Sequence, residues 1–277
     1  MRSTHLSPER RAALPSASPE DARATPDQKL HIRLLGPMAV LWGGTPIRLA
    51  TAAARGLVAL LALRGRLQFR ESVAADLWPD LGHRSTAALR QALWLVRGSL
   101  QQAGADSASI IDADEELIGF FPEQIEVDAI RFERLLSTRP RQLEEAVSIY
   151  RGDLALTCGQ DCFARERDRL ADLFEDALVE VARSRIQAGD YEGAHDASIA
   201  LLARDPLREE GHAALIEVYG RIGSRSQVTR QYRRLCSVLE TELSVPPLPE
   251  TEAAYRAALG ATYSRSLATS QATRRAD

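Results

Sequence analysis

Residues 84–100 read RSTAALRQALWLVRGSL: three arginines, a tryptophan and no acid. Leu89, Leu93, Val96 and Leu100 recur at i, i+4, i+7 and i+11, the spacing of a single buried helical stripe. Ser85 is the expected N-cap. The opposite stripe then holds Thr86, Arg90, Trp94, Arg97 and Gln101, flanked by Gln91. Taken alone, that stripe fits a solvated charged face as well as a face aimed at an anionic partner, and the surrounding elements decide between the two. Trp94 likewise has two readings, packing against a neighbouring hairpin or touching a sugar or base.

Upstream, LHIRLLGPMAVLWGGTPIRL (30–49) alternates in short apolar runs broken by Gly36-Pro37 and Gly43-Gly44. This predicts three short strands, the last two joined by a tight glycine turn. Helical spacing follows over Thr51–Leu63, with Leu57, Leu60 and Leu61 on one face and Gly65 ending the helix. Glu71–Trp78 is a shorter helix stopped by Pro79, and the opening stretch is the third. After Gly104, SIID and LIGFF flank ADEE and read as a β-hairpin. Strands, three helices and a closing hairpin define a winged helix-turn-helix, whose third helix enters the DNA major groove. In that setting the outer stripe is a recognition face.

From about Val127 the pattern is helical. Gly189 and Gly223 lie 34 residues apart, each ending one helix before another begins. Aligning 183–206 with 217–240 sets Ala194 on Val228 and Leu201 on Leu235, the period and small-residue pattern of tetratricopeptide repeats. EEAVSIYRGDL (144–154) reads as a helix of an earlier, degenerate repeat. The expected fold is therefore mainly α: a winged helix-turn-helix over 29–126, then an all-α, tetratricopeptide-like domain over 127–260, each with its own core. Residues 1–28 are expected to form a disordered leader and 261–277 a disordered tail.

Charge divides the chain along the same line. The net charge is -3, yet residues 28–105 carry ten basic side chains against three acids, with no acid at all from 28 to 70. Residues 106–277 carry 21 basic and 31 acidic residues. A basic first half beside an acidic second half suggests one part that binds a polyanion and another that binds something else. The longest purely apolar run, Leu57–Leu63, is too short to span a bilayer, and no secretory signal is evident. Cys158, Cys162 and Cys236 form no paired framework and are expected to be reduced thiols of a cytoplasmic protein. No catalytic constellation, cofactor site or metal site is expected. A Walker A loop needs a lysine that the chain, with its single Lys29, does not supply.

In order and spacing, several motifs resemble the Streptomyces antibiotic regulatory protein (SARP) family over about residues 30–259. They are LLGPMAV, DLWPD at 76–80, ALRQAL at 88–93, VDAIRFERLL at 127–136, YRGDL at 150–154, AGDYEGA with DPLREEGH, QYRRL, and ELSVPPLPETEAAY. The resemblance implies an OmpR-type winged helix joined to a bacterial transcriptional activator domain. It further implies an activator of a secondary-metabolite cluster that binds direct repeats in double-stranded promoter DNA as a side-by-side dimer and contacts RNA polymerase. Within that reading Arg90 and Gln91 face base edges, while Arg97, Arg84 and Arg55 face the phosphate backbone. Thr86 sits near the helix N-terminus, where backbone amides favour phosphate. Two features depart from the family: Leu95 and Gly98 stand where relatives often carry arginines, and the wing tip, Asp112 to Glu116, bears four carboxylates that phosphate would repel. The alternative function is a tetratricopeptide-type protein-binding scaffold with weakened DNA affinity.

Overall fold

A computed structural model describes residues 28–155, Cys158 and residues 161–261; the expected leader apart from residue 28, and the expected tail apart from residue 261, lie outside that range. The chain is mainly α, an N-terminal winged helix-turn-helix followed by a helical-repeat domain. Strand β1 (Leu30–Arg33) alternates buried and exposed residues, so Leu30 and Ile32 face inward. It pairs antiparallel with β2 (Ala39–Trp42), which pairs with β3 (Thr45–Ile47). The β2–β3 turn uses Gly43 at φ 54° and Gly44 at φ 81°; two consecutive positive φ values match the twist of a two-residue hairpin.

Helix α1 (Ala52–Arg64) is capped by Thr51, whose side chain accepts from Ala54 N, and ends at Gly65 in the left-handed region. Every residue from Gly56 to Ala62 is buried, more than the one-sided face that the spacing suggested. The cause is its position, packed against α2 and α3 and against strands as well. A short strand β4 (Gln68–Phe69), which sequence periodicity did not reveal, leads into α2 (Arg70–Leu77). The chain then passes through a 3-10 turn, Pro79–Arg84, bent at Gly82 (φ 50°), into α3 (Ser85–Gln102). Ser85 is not the cap. It is buried in the first turn, and its N–H donates to Gly82 O because the preceding turn already winds helically.

The wing differs in one detail from the expected hairpin. Ser107–Ile110 forms a helical turn, α4, because Asp106 accepts from Ala108 N and caps it. The strands proper are β5 (Ile111–Ala113) and β6 (Leu117–Phe120), with β4 completing a three-stranded sheet on the other side of β6. Strand β7 (Ile125–Val127) returns to the first sheet and lies parallel to β1, giving the order β3-β2-β1-β7.

The helical half comprises α5 (Asp128–Ser137), α6 (Leu143–Ile149), α7 (Ala164–Ala188), α8 (Tyr191–Arg204), α9 (Glu209–Arg221) and α10 (Arg225–Glu242), then α11 over 249–261. The repeat pairs are α7–α8 and α9–α10, broken at Gly189 (φ 79°) and Gly223 (φ 83°). Ala194 and Val228, aligned by the 34-residue period, are both fully buried, as are Leu201 and Leu235. Helix α11 closes the stack. Tyr255 lies flat on Tyr232 with centroids 4.0 Å apart, and Gly220 leaves room for Ala258. Inside the stack, the Nε2 of the buried His212 lies 3.1 Å from Pro206 O and its Nδ1 2.8 Å from Gln231 Nε2; burial lowers the imidazole pKa.

The two halves share their main core, where length alone suggested one each; a smaller separate cluster of Ile216, Val228 and Ala258 lies in the helical half. One continuous apolar cluster runs from Leu30 through α1 and α3 to Phe132, Leu178 and Leu201. The backbones themselves meet: Leu35 bridges Leu154, Gly36 N donates to Asp153 O, and Ala155 N donates to Leu34 O at 2.8 Å. Gly36, at φ 100°, passes so near Arg151 that a Cβ would sit 3.2 Å from its carbonyl carbon. Asp128 closes the same seam by accepting from Leu34 N, Leu35 N and Ala129 N. Burial pushes its carboxyl pKa up, against the pull of those three donors.

Candidate nucleic-acid interface

Helix α3 buries Leu89, Leu93, Val96 and Leu100, the stripe expected from the spacing, together with Ser85 and Ala92. That fixes the rotation of the helix and leaves Thr86, Arg90, Gln91, Trp94 and Gln101 exposed. Arg97 lies part way round and is half-buried, while Arg84 is exposed at the end of the 3-10 turn. Trp94 is 73% exposed, so the packing alternative falls away and the indole stands in solvent beside Arg90 and Gln91. An indole of that size in water is uncompensated apolar area, suited to stacking on or covering a partner.

The electrostatics of this face come from what is missing around it. Among the described residues, none of Arg84, Arg90 and Arg97 has a carboxylate within 4.0 Å. Their guanidinium forks are therefore free to meet phosphate or guanine edges, which they match in pairs of parallel N–H bonds. Arg48, exposed and not singled out from the sequence, also belongs near this surface. Ser99 Oγ donates to Arg48 O, which ties the strand-to-helix connection to the C-terminal half of α3. Its signal was the acid-free run from 28 to 70.

Arg55 is placed differently from the other expected contacts. Its Nη1 donates to Leu49 O at 3.1 Å, and its Nε is buried without a hydrogen-bond partner. The guanidinium also acts electrostatically on Cys158, whose thiol is pushed up to about 11 by burial. Arg55, half-buried like Arg97, thus stands at the junction with the second half and not on α3.

The wing tip is acidic, yet one of its four carboxylates is structural. Asp114 accepts from Glu116 N at 2.7 Å and Leu117 N at 2.6 Å, and these bonds to the charged form hold its pKa below the ordinary value. Arg70 Nη1 donates to Asp114 O and clips the turn to the start of α2. Glu115 and Glu116 remain exposed at the tip.

In the helical half, the stretches YRGDL and DPLREEGH meet through one cluster. Tyr150 stacks on Phe174 with centroids 4.1 Å apart, and Arg204 lies over both rings at 5.4 and 5.5 Å. Asp153 accepts from Tyr150 OH at 3.0 Å and from Arg204 Nη2 at 2.5 Å. Burial works against its charge, but the guanidinium and the phenol outweigh it and lower its pKa. Glu175 stands between Arg204 and Arg208. This cluster holds helices together and presents no open reactive group. No cluster of three or more His, Cys, Asp or Glu suited to a metal ion occurs among the described residues.

A winged helix whose third helix turns a basic, tryptophan-bearing stripe to solvent is thus joined through a shared core to stacked helical pairs. Comparison with known proteins finds the same architecture. Residues 127–259 match the family described as bacterial transcriptional activator domain, a regulatory family and not an enzyme class. The solved structure of Mycobacterium tuberculosis EmbR in complex with a low-affinity phosphopeptide shares the fold, with a TM-score of 0.68 at 21% sequence identity. The similarity covers 88% of this chain and 72% of EmbR. No curated protein matches the chain. No helix among the described residues is long and apolar enough to cross a membrane.

Proposed function

We propose that the chain is a sequence-specific, DNA-binding transcriptional activator of the SARP type, with the winged helix at 29–126 reading promoter DNA. The activator domain at 127–260 then serves dimerisation on direct repeats and recruitment of RNA polymerase, at the promoters of a secondary-metabolite cluster. The observation that carries this reading is the exposed Arg90 of α3, with Arg84 just before the helix and the half-buried Arg97 within it, none with a carboxylate partner among the described residues, beside a bare indole. Arg90 and Gln91 are the base-reading pair, while Arg84, Arg97 and the N-terminal Thr86 grip phosphate. Arg55 positions α1 against the second half.

A second reading, a protein-binding scaffold built on the repeats, draws support from the exposed Glu115 and Glu116 at the wing tip. An electrophoretic shift with genomic promoter fragments against random duplex, at moderate salt, separates the two. Retardation of a promoter fragment at protein concentrations that leave random duplex free is the expected result. Failure to retard any fragment would favour the scaffold.

A further inference from the structure

A cleft of about 520 Å³ opens on the solvent face of the four-stranded sheet, away from α3. The β-register builds its floor: Leu41 on β2, His31 and Arg33 on β1 and Glu126 on β7 project to the same side, with Leu41, His31 and Glu126 in one cross-strand row. Helices α5 and α6 supply the wall through Arg131, Glu145 and Ile149, and the seam segment supplies Arg151. The volume falls in the range of small-molecule sites, roughly 300–1,000 Å³.

The charges within the cleft divide into a settled set and an open set. Glu126 lies 3.3 Å from His31 Nδ1 and 3.5 Å from Arg131, which also pairs with Glu145 at 2.5 Å. Asp128 has its oxygens engaged by three backbone donors, and Arg151 acts on it electrostatically without forming an ion pair. Arg33 and Arg151 are left. Both are exposed, both line the cleft, and neither has a carboxylate within ion-pair distance among the described residues. Two guanidinium forks without an ion-pair partner, lining the same cleft as the apolar Leu41 and Ile149, match a compact dianion with a small apolar body.

We propose that this cleft binds a small organic dianion, a phosphate monoester or a dicarboxylate, clamped between Arg33 of the winged-helix half and Arg151 of the helical half. Because the two arginines come from opposite sides of the seam, the bound anion bridges the halves and stabilises their junction. The site is separate from the recognition face and does not depend on the DNA-binding reading.

Calorimetric titration of the full chain with phenyl phosphate and, separately, with phthalate tests the proposal and distinguishes the two ligand sources. Saturable one-to-one binding of at least one probe is expected. Arg33→Gln/Arg151→Gln should weaken it by about tenfold or more, while Arg90→Ala/Arg97→Ala leaves it unchanged. Both arginines are exposed, so the double variant should melt as the wild type does in the absence of probe. Arg33→Lys, which keeps the charge and loses the fork, should bind with intermediate affinity. The proposal is overturned if neither probe saturates at concentrations on the order of 10 mM, or if the Arg33/Arg151 variant binds as tightly as wild type. Loss of binding in the Arg90/Arg97 variant would overturn it too, by placing the anion on the recognition helix.

Discussion

In the helical half, Arg141, Arg169, Arg185, Arg204, Arg208 and Arg256 each meet a carboxylate; on the recognition face, Arg84, Arg90 and Arg97 do not. At these positions the same side chain works as internal bracing in one region and as an open cation in the other. What separates the two is the local supply of acid. Residues 106–277 hold 31 acids, and residues 28–105 hold three, one of which, Asp76, is taken by Arg64. An arginine beside a carboxylate has its field cancelled at short range. One without a partner projects it to the Debye length, about 8–10 Å in ordinary salt. The charge asymmetry along the chain is therefore a division of labour, and it can be broken one arginine at a time.

The largest effect is expected in the braced region. Arg204→Met keeps much of the stem but removes the cation from Asp153 and Glu175, and unfolding should be eased by about 2–4 kcal/mol. A urea midpoint equal to wild type would mean that the cluster of Tyr150, Asp153, Phe174 and Arg204 contributes nothing. Next is Arg90→Ala on the open face. Affinity for a cognate promoter should fall by about 1–3 kcal/mol, with random duplex barely affected and the melting temperature unchanged. Arg97→Ala should weaken both DNAs alike, by about 1 kcal/mol or less, and lower the salt slope by about 1; selective loss on the promoter alone would reverse the roles given to Arg90 and Arg97. The smallest change concerns folding of Trp94→Ala, which should stay within about 0.5 kcal/mol of wild type because the indole packs against nothing it would leave empty. A clear drop in thermal stability would return Trp94 to a packing role.

Much of this was legible in the residues. The inward stripe of α3, the glycine turn at Gly43-Gly44, the end of α1 at Gly65 and the 34-residue repeat all follow from local rules that neighbours do not override. The exposure of Trp94 was not legible, since an indole at that spacing fits either a packed or a solvent-facing position and only the tertiary packing decides. Strands β4 and β7 are two and three residues long, too short for any alternation to register. Ser85 was misread because capping chemistry at one position cannot reveal that the preceding Pro79–Arg84 turn is already helical. Arg55 stood in the basic run and was counted with it; its engagement by Leu49 O depends on how the connection before α1 folds back.

The crossing of Gly36 with Arg151 and Gly152 bears on how such chains can be recombined. A cut after residue 126 looks natural by composition, but it would strip β1 of its parallel partner's last residue. It would also leave Leu34 N and Leu35 N without Asp128. A grafted winged helix should therefore travel with 127–128 and with the 150–155 segment, whose backbone pairs with residues 34–36. The unit that folds as the winged helix is accordingly discontinuous, a compact head together with a short distant strap.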